Sequence, residues 1–283
     1  MLAAIKNNCI VTNYFVKQLI FFILFSLFNT SIVFGQTINI RLGVKDSIRS
    51  TILKENRKFI IHFPQGYDTT KNTYTVLYLL DGSEERLLFF SSLMKFYFKD
   101  NLIIVAIQNT DRDRDMMPLS VPSYPVSKPG ADNFLSFIQT ELIPKIENNN
   151  RTNGQRILCG QSLSAVFTLY VLLKQPQLFD SYIANSVGWY ADMDYFFSPL
   201  VDKAFQNPDT YKSKRIFLAN SENDNYDPKK EILKSMDVFS KKVQEKLGSR
   251  LTYKYETYSK YGHVPYPAFY DAMKFILLDS IRK

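Results

Sequence analysis

Arg156-Ile157-Leu158-Cys159-Gly160-Gln161-Ser162-Leu163-Ser164-Ala165 is the stretch that decides the fold. An apolar strand pattern runs into Gly-x-Ser, and an apolar run of helical length, Val166 to Leu173, follows at once. This is the sequence form of a nucleophile elbow, a sharp strand-to-helix turn that lifts a serine hydroxyl above a sheet. The turn is crowded and demands small neighbours beside the serine. Gly160 meets the demand on one side, while Ser164 and Ala165 stand where glycine is more usual.

Outward from the elbow, apolar segments alternate with helical ones. Arg57 to Phe63, Tyr74 to Leu80, Leu102 to Ile107, Tyr182 to Ala184, Ile216 to Ala219 and Leu251 to Tyr258 read as strands. Leu102 to Ile107 is almost unbroken in its apolar character, as expected of a parallel strand covered on both faces. Asn133 to Glu147 has apolar residues at helical spacing, with Asp132 as N-cap and Pro144 as a kink. Ala191 to Tyr211 reads as a helical excursion over the sheet edge. Pro228 opens a long helix reaching Leu247, and Ala268 to Leu278 closes the chain as an amphipathic helix.

This alternation predicts an α/β fold: a mainly parallel central sheet with helices on both faces. In such sheets ligands sit beyond the carboxyl ends of the strands. Asp81-Gly82, the Asn109 loop, Ser162, the 221–227 loop and His263 are all predicted to gather there.

Residues 1–35 read as a secretory signal peptide. Lys6 and Lys17 precede the apolar block Leu19 to Phe28, and Ser31-Ile32-Val33-Phe34-Gly35 offers a cleavage site. Asn29-Thr30-Ser31 interrupts the block short of the ~20 residues that span a bilayer, so no stable membrane association is expected after cleavage. Residues 36–283 then form one catalytic-sized domain without repeats or linkers. Cys159 is left alone, which excludes an intramolecular disulfide, and its place in the strand predicts a buried apolar thiol. The formal charge of +8 falls to +6 without the leader and is spread along the chain, which argues against nucleic-acid binding. No metal or cofactor motif is evident.

A serine hydroxyl becomes a nucleophile when a base removes its proton, and the base is usually a histidine steadied by a carboxylate. The chain has two histidines. His62 lies inside a strand and reads as structural. His263, in Tyr261-Gly262-His263-Val264-Pro265, lies between the last strand and the last helix, at the expected edge. The acid should fall between Ser162 and His263 in chain order, and the loop after Ala219 supplies Glu222, Asp224 and Asp227. Asp224 is the first choice and Glu222 the runner-up; Asp227, before Pro228, suits helix N-terminal charge. Oxyanion donors are expected from the N–H of Leu163 and from Gly82 or Ser83. Arg112 could hold an anionic substrate oxygen or pair internally with a neighbouring Asp. Trp189 and Tyr190 could wall a pocket or simply pack.

Taken together, the chain resembles the esterase family of α/β-hydrolases that includes esterase D-like enzymes, trilactone-siderophore esterases, and feruloyl and acetylxylan esterases. Tyr78-Leu79-Leu80-Asp81-Gly82 is similar to the family's first strand-loop signature, and Val105 through Arg112 to Met117-Pro118 to its arginine-containing loop. Phe134 to Pro144, Gly160-Gln161-Ser162-Leu163 and Pro176-Gln177-Leu178-Phe179 continue the likeness. The resemblance implies Ser162 as nucleophile, His263 as base and Asp224 as acid, with the siderophore-esterase branch nearest in flavour. Gln161, Ser164 and Ala165 depart from the family's Gly-His-Ser-Leu-Gly-Gly. Two functions follow as expectations: an exported serine esterase acting on small-molecule carboxylic esters, or a non-catalytic relative binding a glycan or siderophore at the cell surface.

Overall fold

The computed structural model describes residues 16–21, 41–189 and 191–278. The chain forms two units, residues 1–41 and 42–283. In the first, residues 16–21 are helical and exposed; the cleavage site expected near Gly35 lies outside the described residues. Among the described residues no helix is long and apolar enough to cross a membrane.

The second unit is built on one eight-stranded sheet, in the order β1-β2-β4-β3-β5-β6-β7-β8. Its strands are β1 (Val44–Arg49), β2 (Asn56–His62), β3 (Tyr74–Leu79), β4 (Leu102–Ile107), β5 (Thr152–Gln161), β6 (Ser181–Asn185), β7 (Arg215–Ser221) and β8 (Thr252–Tyr258). β1 and β2 pair antiparallel, and β2 meets β4 antiparallel. From β4 through β3, β5, β6 and β7 to β8 every pairing is parallel. The expected mainly parallel sheet is therefore the observed one.

Side chains alternate between two cores because successive strand residues face opposite ways. On β3, Val76 and Tyr78 join one cluster while Leu77 and Leu79 join the other. Helices α1 (Glu84–Tyr97) and α8 (Pro267–Leu277) cover one face, through Leu87, Phe90, Met94, Phe269 and Met273. The opposite face is covered chiefly by α3 (Ala131–Phe137), α4 (Ile143–Asn149), α5 (Leu163–Lys174), α6 (Asp194–Ala204) and α7 (Glu231–Leu247); a short α2 (Arg112–Met116) precedes them in the chain. Helix α5 is buried along its whole length from Leu163 to Leu173, which explains why its sequence lacks a polar face.

Several local expectations shift. Gly130, not Asp132, precedes α3 as its N-cap residue, and the Asp132 carboxylate instead accepts from the Tyr170 hydroxyl. Pro144 does not simply kink one helix: a π-helical turn, Ile138–Leu142, intervenes, and the proline falls in the first turn of α4. There the wider π turn, in which the Ile143 N–H donates to Ile138 O five residues back, accommodates a residue that has no N–H to give. Helix α7 begins at Glu231 rather than Pro228, after Asp227 accepts from the N–H groups of Glu231 and Leu233.

Candidate active site

The elbow forms as its sequence suggests. Ser162 sits at φ 56° and ψ −121°, a conformation an L residue adopts only under constraint. Its own N–H donates to Asn185 O on β6 at 2.9 Å, and its carbonyl accepts from the N–H groups of Ala165 and Val166 at the start of α5. Gly160 is obligatory. A Cβ there would lie 2.1 Å from the Ser164 carbonyl oxygen and 2.4 Å from Thr168 Oγ1.

Ser164 fits because its buried hydroxyl finds partners. Its oxygen accepts from the Gln161 N–H at 2.7 Å and lies 2.8 Å from Asp81 Oδ2. The neighbouring Gln161 accepts from Arg86 Nη1 at 2.8 Å. Two of the three departures from the family motif, Gln161 and Ser164, are thus tied into the helix and loop that follow β3.

Two hydrogen bonds join the remaining polar groups in a relay. The Ser162 hydroxyl is 2.9 Å from His263 Nε2, and His263 Nδ1 is 2.6 Å from Asp224 Oδ2. With the ring proton on Nδ1, the hydroxyl donates to Nε2 and the ring donates to the carboxylate. Asp224 is buried, and its second oxygen accepts the Tyr226 N–H at 2.8 Å, so both oxygens are fixed.

Glu222, the runner-up acid, accepts from Thr257 Oγ1 at 2.7 Å and has no part in the relay. Asp227 caps α7. His62 is structural, with Nδ1 donating to Leu42 O at 2.8 Å.

The loop carrying His263 is pinned by groups the sequence reading did not single out. Asn185 donates to Pro265 O at 3.2 Å, and the Ser221 hydroxyl donates to Tyr261 O. Asn223 donates to Ser259 O. The hint lies in Asn185 and Ser221, polar residues at the ends of otherwise apolar strands.

Leu163 opens α5, so its N–H is one of the helical amides without an intrahelical acceptor, and it is available to an oxyanion. The other two expected donors require correction. Gly82 N–H donates to Ile107 O at 2.8 Å, and Ser83 N–H to Asp81 O at 2.9 Å. Gly82 is there for packing, because a Cβ would lie 2.3 Å from the Ala106 carbonyl carbon.

Arg112 likewise turns inward. Its Nε and Nη2 donate to the two oxygens of Asp81 at 2.7 and 2.9 Å, so this edge of its fork is taken up by an internal ion pair. Burial works against ionisation of Asp81, but Arg112 in particular, with Asn109 and Ser164, outweighs it and holds the carboxyl below its ordinary range.

Trp189 is buried, donates to Asp194 Oδ1 at 2.6 Å and packs on Phe197 and Phe239. It lines a cavity of about 270 Å³ with residues of α6 and α7, including Val201, Lys234 and Phe239, and none of Ser162, Asp224 or His263 borders that cavity. Tyr190 lies outside the described residues. Cys159 is fully buried, and its thiol is pushed up to about 12, so the strand entering the elbow carries no second nucleophile.

Residues 50–269 match the model of the family described as "Putative esterase". The chain belongs to this esterase family. It is 26% identical over 136 residues to the uncharacterized protein YbbA of Bacillus subtilis (strain 168), a match covering 44% of this chain and 54% of YbbA. Against the ferri-bacillibactin esterase BesA of the same organism it is 41% identical over 58 residues, 20% of each chain. The matches thus span about half of one relative and a fifth of the other. Among solved structures, an IroE-like serine hydrolase from Shewanella oneidensis superposes with a TM-score of 0.74 at 27% identity. That likeness covers 84% of this chain and 80% of the neighbour, and the shared fold is that of α/β-hydrolase-type esterases.

Proposed function

We propose that this protein is an exported serine esterase that hydrolyses carboxylic esters through a Ser162–His263–Asp224 triad and an acyl-enzyme. The observation that carries the reading is the relay itself, 2.9 Å from hydroxyl to imidazole and 2.6 Å from imidazole to carboxylate. Ser162 Oγ attacks the carbonyl carbon while its proton passes to His263 Nε2. The oxyanion faces the Leu163 N–H. As the intermediate collapses, the Nε2 proton goes to the departing alcohol, and water repeats the sequence on the acyl-enzyme with the roles reversed. Asp224, bonded to Nδ1, orients the ring and stabilises the imidazolium that forms.

The intact relay favours an esterase over a binding protein that has lost its chemistry. The name of BesA, a ferri-bacillibactin esterase, makes siderophore-type esters the first class to assay, with carbohydrate-linked esters second. Export rests on the composition of residues 1–35.

Labelling with a fluorophosphonate tests the reading. Wild type should label and Ser162→Ala should not, in parallel with turnover of p-nitrophenyl acetate. Equal labelling of the two proteins would falsify the assignment of Ser162.

A further inference from the structure

Tyr226 makes two contacts that bear on the relay. Its backbone N–H holds Asp224 Oδ1 at 2.8 Å, and its ring stands edge-on to the His263 imidazole, 4.8 Å between centroids at 75°. Yet the residue is 62% exposed. An exposed tyrosine alone needs no explanation. This one touches the catalytic-site imidazole while most of its surface remains open to solvent. Tyr261 and Tyr266, two residues before and three after His263, are also exposed, at 40% and 54%, but their rings stand against Tyr258 and against Phe89 and Phe269, whereas that of Tyr226 meets the imidazole.

The chemistry of the step indicates which part of a substrate would meet the Tyr226 ring. His263 Nε2 takes the proton from Ser162 and delivers it to the oxygen of the departing alcohol, so that oxygen must come within hydrogen-bonding reach of the imidazole. A group carried on the alcohol therefore lies beside the histidine and whatever packs on it. The acyl group hangs from the carbonyl carbon held by Ser162 and the Leu163 N–H.

We infer that Tyr226 is a specificity-determining residue of the leaving-group subsite, its ring forming a platform for esters whose alcohol carries an aromatic face. This inference rests on the esterase reading above. Aromatic pairs of this kind contribute roughly 0.5–1.5 kcal/mol beyond burial, which corresponds to a change of up to about tenfold in binding.

The test uses matched esters of the whole protein. Benzyl acetate and butyl acetate share an acyl group and differ in the ring on an alkyl alcohol; ethyl phenylacetate and ethyl butyrate place the ring on the acyl side. In Tyr226→Ala the benzyl-to-butyl ratio of kcat/KM should fall about two- to tenfold, through a higher KM for benzyl acetate, while Tyr226→Phe keeps the wild-type ratio. An unchanged benzyl-to-butyl ratio overturns the inference. So does a fall confined to the phenylacetate-to-butyrate ratio, which would place the ring on the acyl side. Wild-type protein inert towards all four esters and unlabelled by fluorophosphonate would instead sink the esterase reading, and this inference with it.

Discussion

The Ser164 hydroxyl oxygen lies 2.8 Å from Asp81 Oδ2, linking the turn that carries Ser162 to the loop that follows β3. Asp81 itself sits at φ 53°, held there while it accepts from Arg112, Asn109 and Ser164. A residue that departs from the family motif therefore acts as a buried tie between two loops of the site. A hydrogen bond to a charged group is worth about 1.5–3 kcal/mol. Ser164→Ala should lose about 1–3 kcal/mol in urea denaturation, and kcat should fall several-fold while Ser162 still labels. An unaltered urea midpoint would show that the tie contributes nothing.

The same network makes stability depend on acid in a defined direction. The folded Asp81 carboxyl titrates below its ordinary range, despite burial, because Arg112 above all favours the ionised form. Its contribution is full above the unfolded value, near pH ~4, and is lost as pH falls through the lower folded value. The stability gap between wild type and Asp81→Asn should be wide at pH 6 and narrow progressively below about pH 4. Urea midpoints of both proteins from pH 6 to pH 2 measure it, with carboxylates common to both cancelling. A gap that stays constant to pH 2 contradicts the assignment.

The parallel sheet was legible because β4 is apolar throughout, and β5 and β7 carry apolar runs, Ile157 to Cys159 and Ile216 to Ala219, buried on both faces and too short for a helix. Strand β1 escaped notice. It is an edge strand of sequence VKDSIR without a single fully buried residue, so its pattern carries no burial signal. Helix α1 escaped for the converse reason: its buried residues Leu87, Phe90 and Met94 sit among further exposed aromatics such as Phe96 and Tyr97. Chain position pointed to Ser162 and His263 and narrowed the acid to the 221–227 loop, with Asp224 first and Glu222 second. The inward turn of Arg112 could not, since an arginine among three aspartates reads equally well as a ligand or as a strut. Only the positive φ of Asp81, which aims its carboxylate at both Arg112 and Ser164, separates the two.

Gly160→Ala probes the elbow more severely than any change at Ser164. The added methyl would lie 2.1 Å from a backbone carbonyl oxygen, that of Ser164, which cannot move without displacing the first turn of α5. The fluorophosphonate labelling rate should fall by about a hundredfold or more, since a misplacement of the nucleophile near 1 Å costs about that much. A thermal melt should show clear destabilisation. Labelling at the wild-type rate in a protein of unchanged Tm would mean that the turn is looser than its packing implies.

The two candidate acids can be separated by a pair of isosteric changes. Asp224 holds His263 Nδ1 at 2.6 Å and is itself fixed by the Tyr226 N–H. Replacing it with asparagine keeps the shape but offers the ring an amide that can donate, which favours the tautomer with the proton on Nε2. That tautomer cannot accept the Ser162 proton. Loss of the carboxylate also removes stabilisation of the imidazolium that forms as the serine attacks. The expected fall in kcat for Asp224→Asn is about 10²–10⁴-fold, by analogy with the same change in serine proteases, with KM little altered. The Glu222 carboxylate is bonded to Thr257 Oγ1, away from the imidazole, so Glu222→Gln should retain kcat within about twofold, as substitutions outside the site usually do. If instead Glu222→Gln lost activity and Asp224→Asn kept it, the loop would have to rearrange in solution to bring Glu222 to the imidazole. The 2.6 Å bond between Asp224 and His263 would then not be the working one.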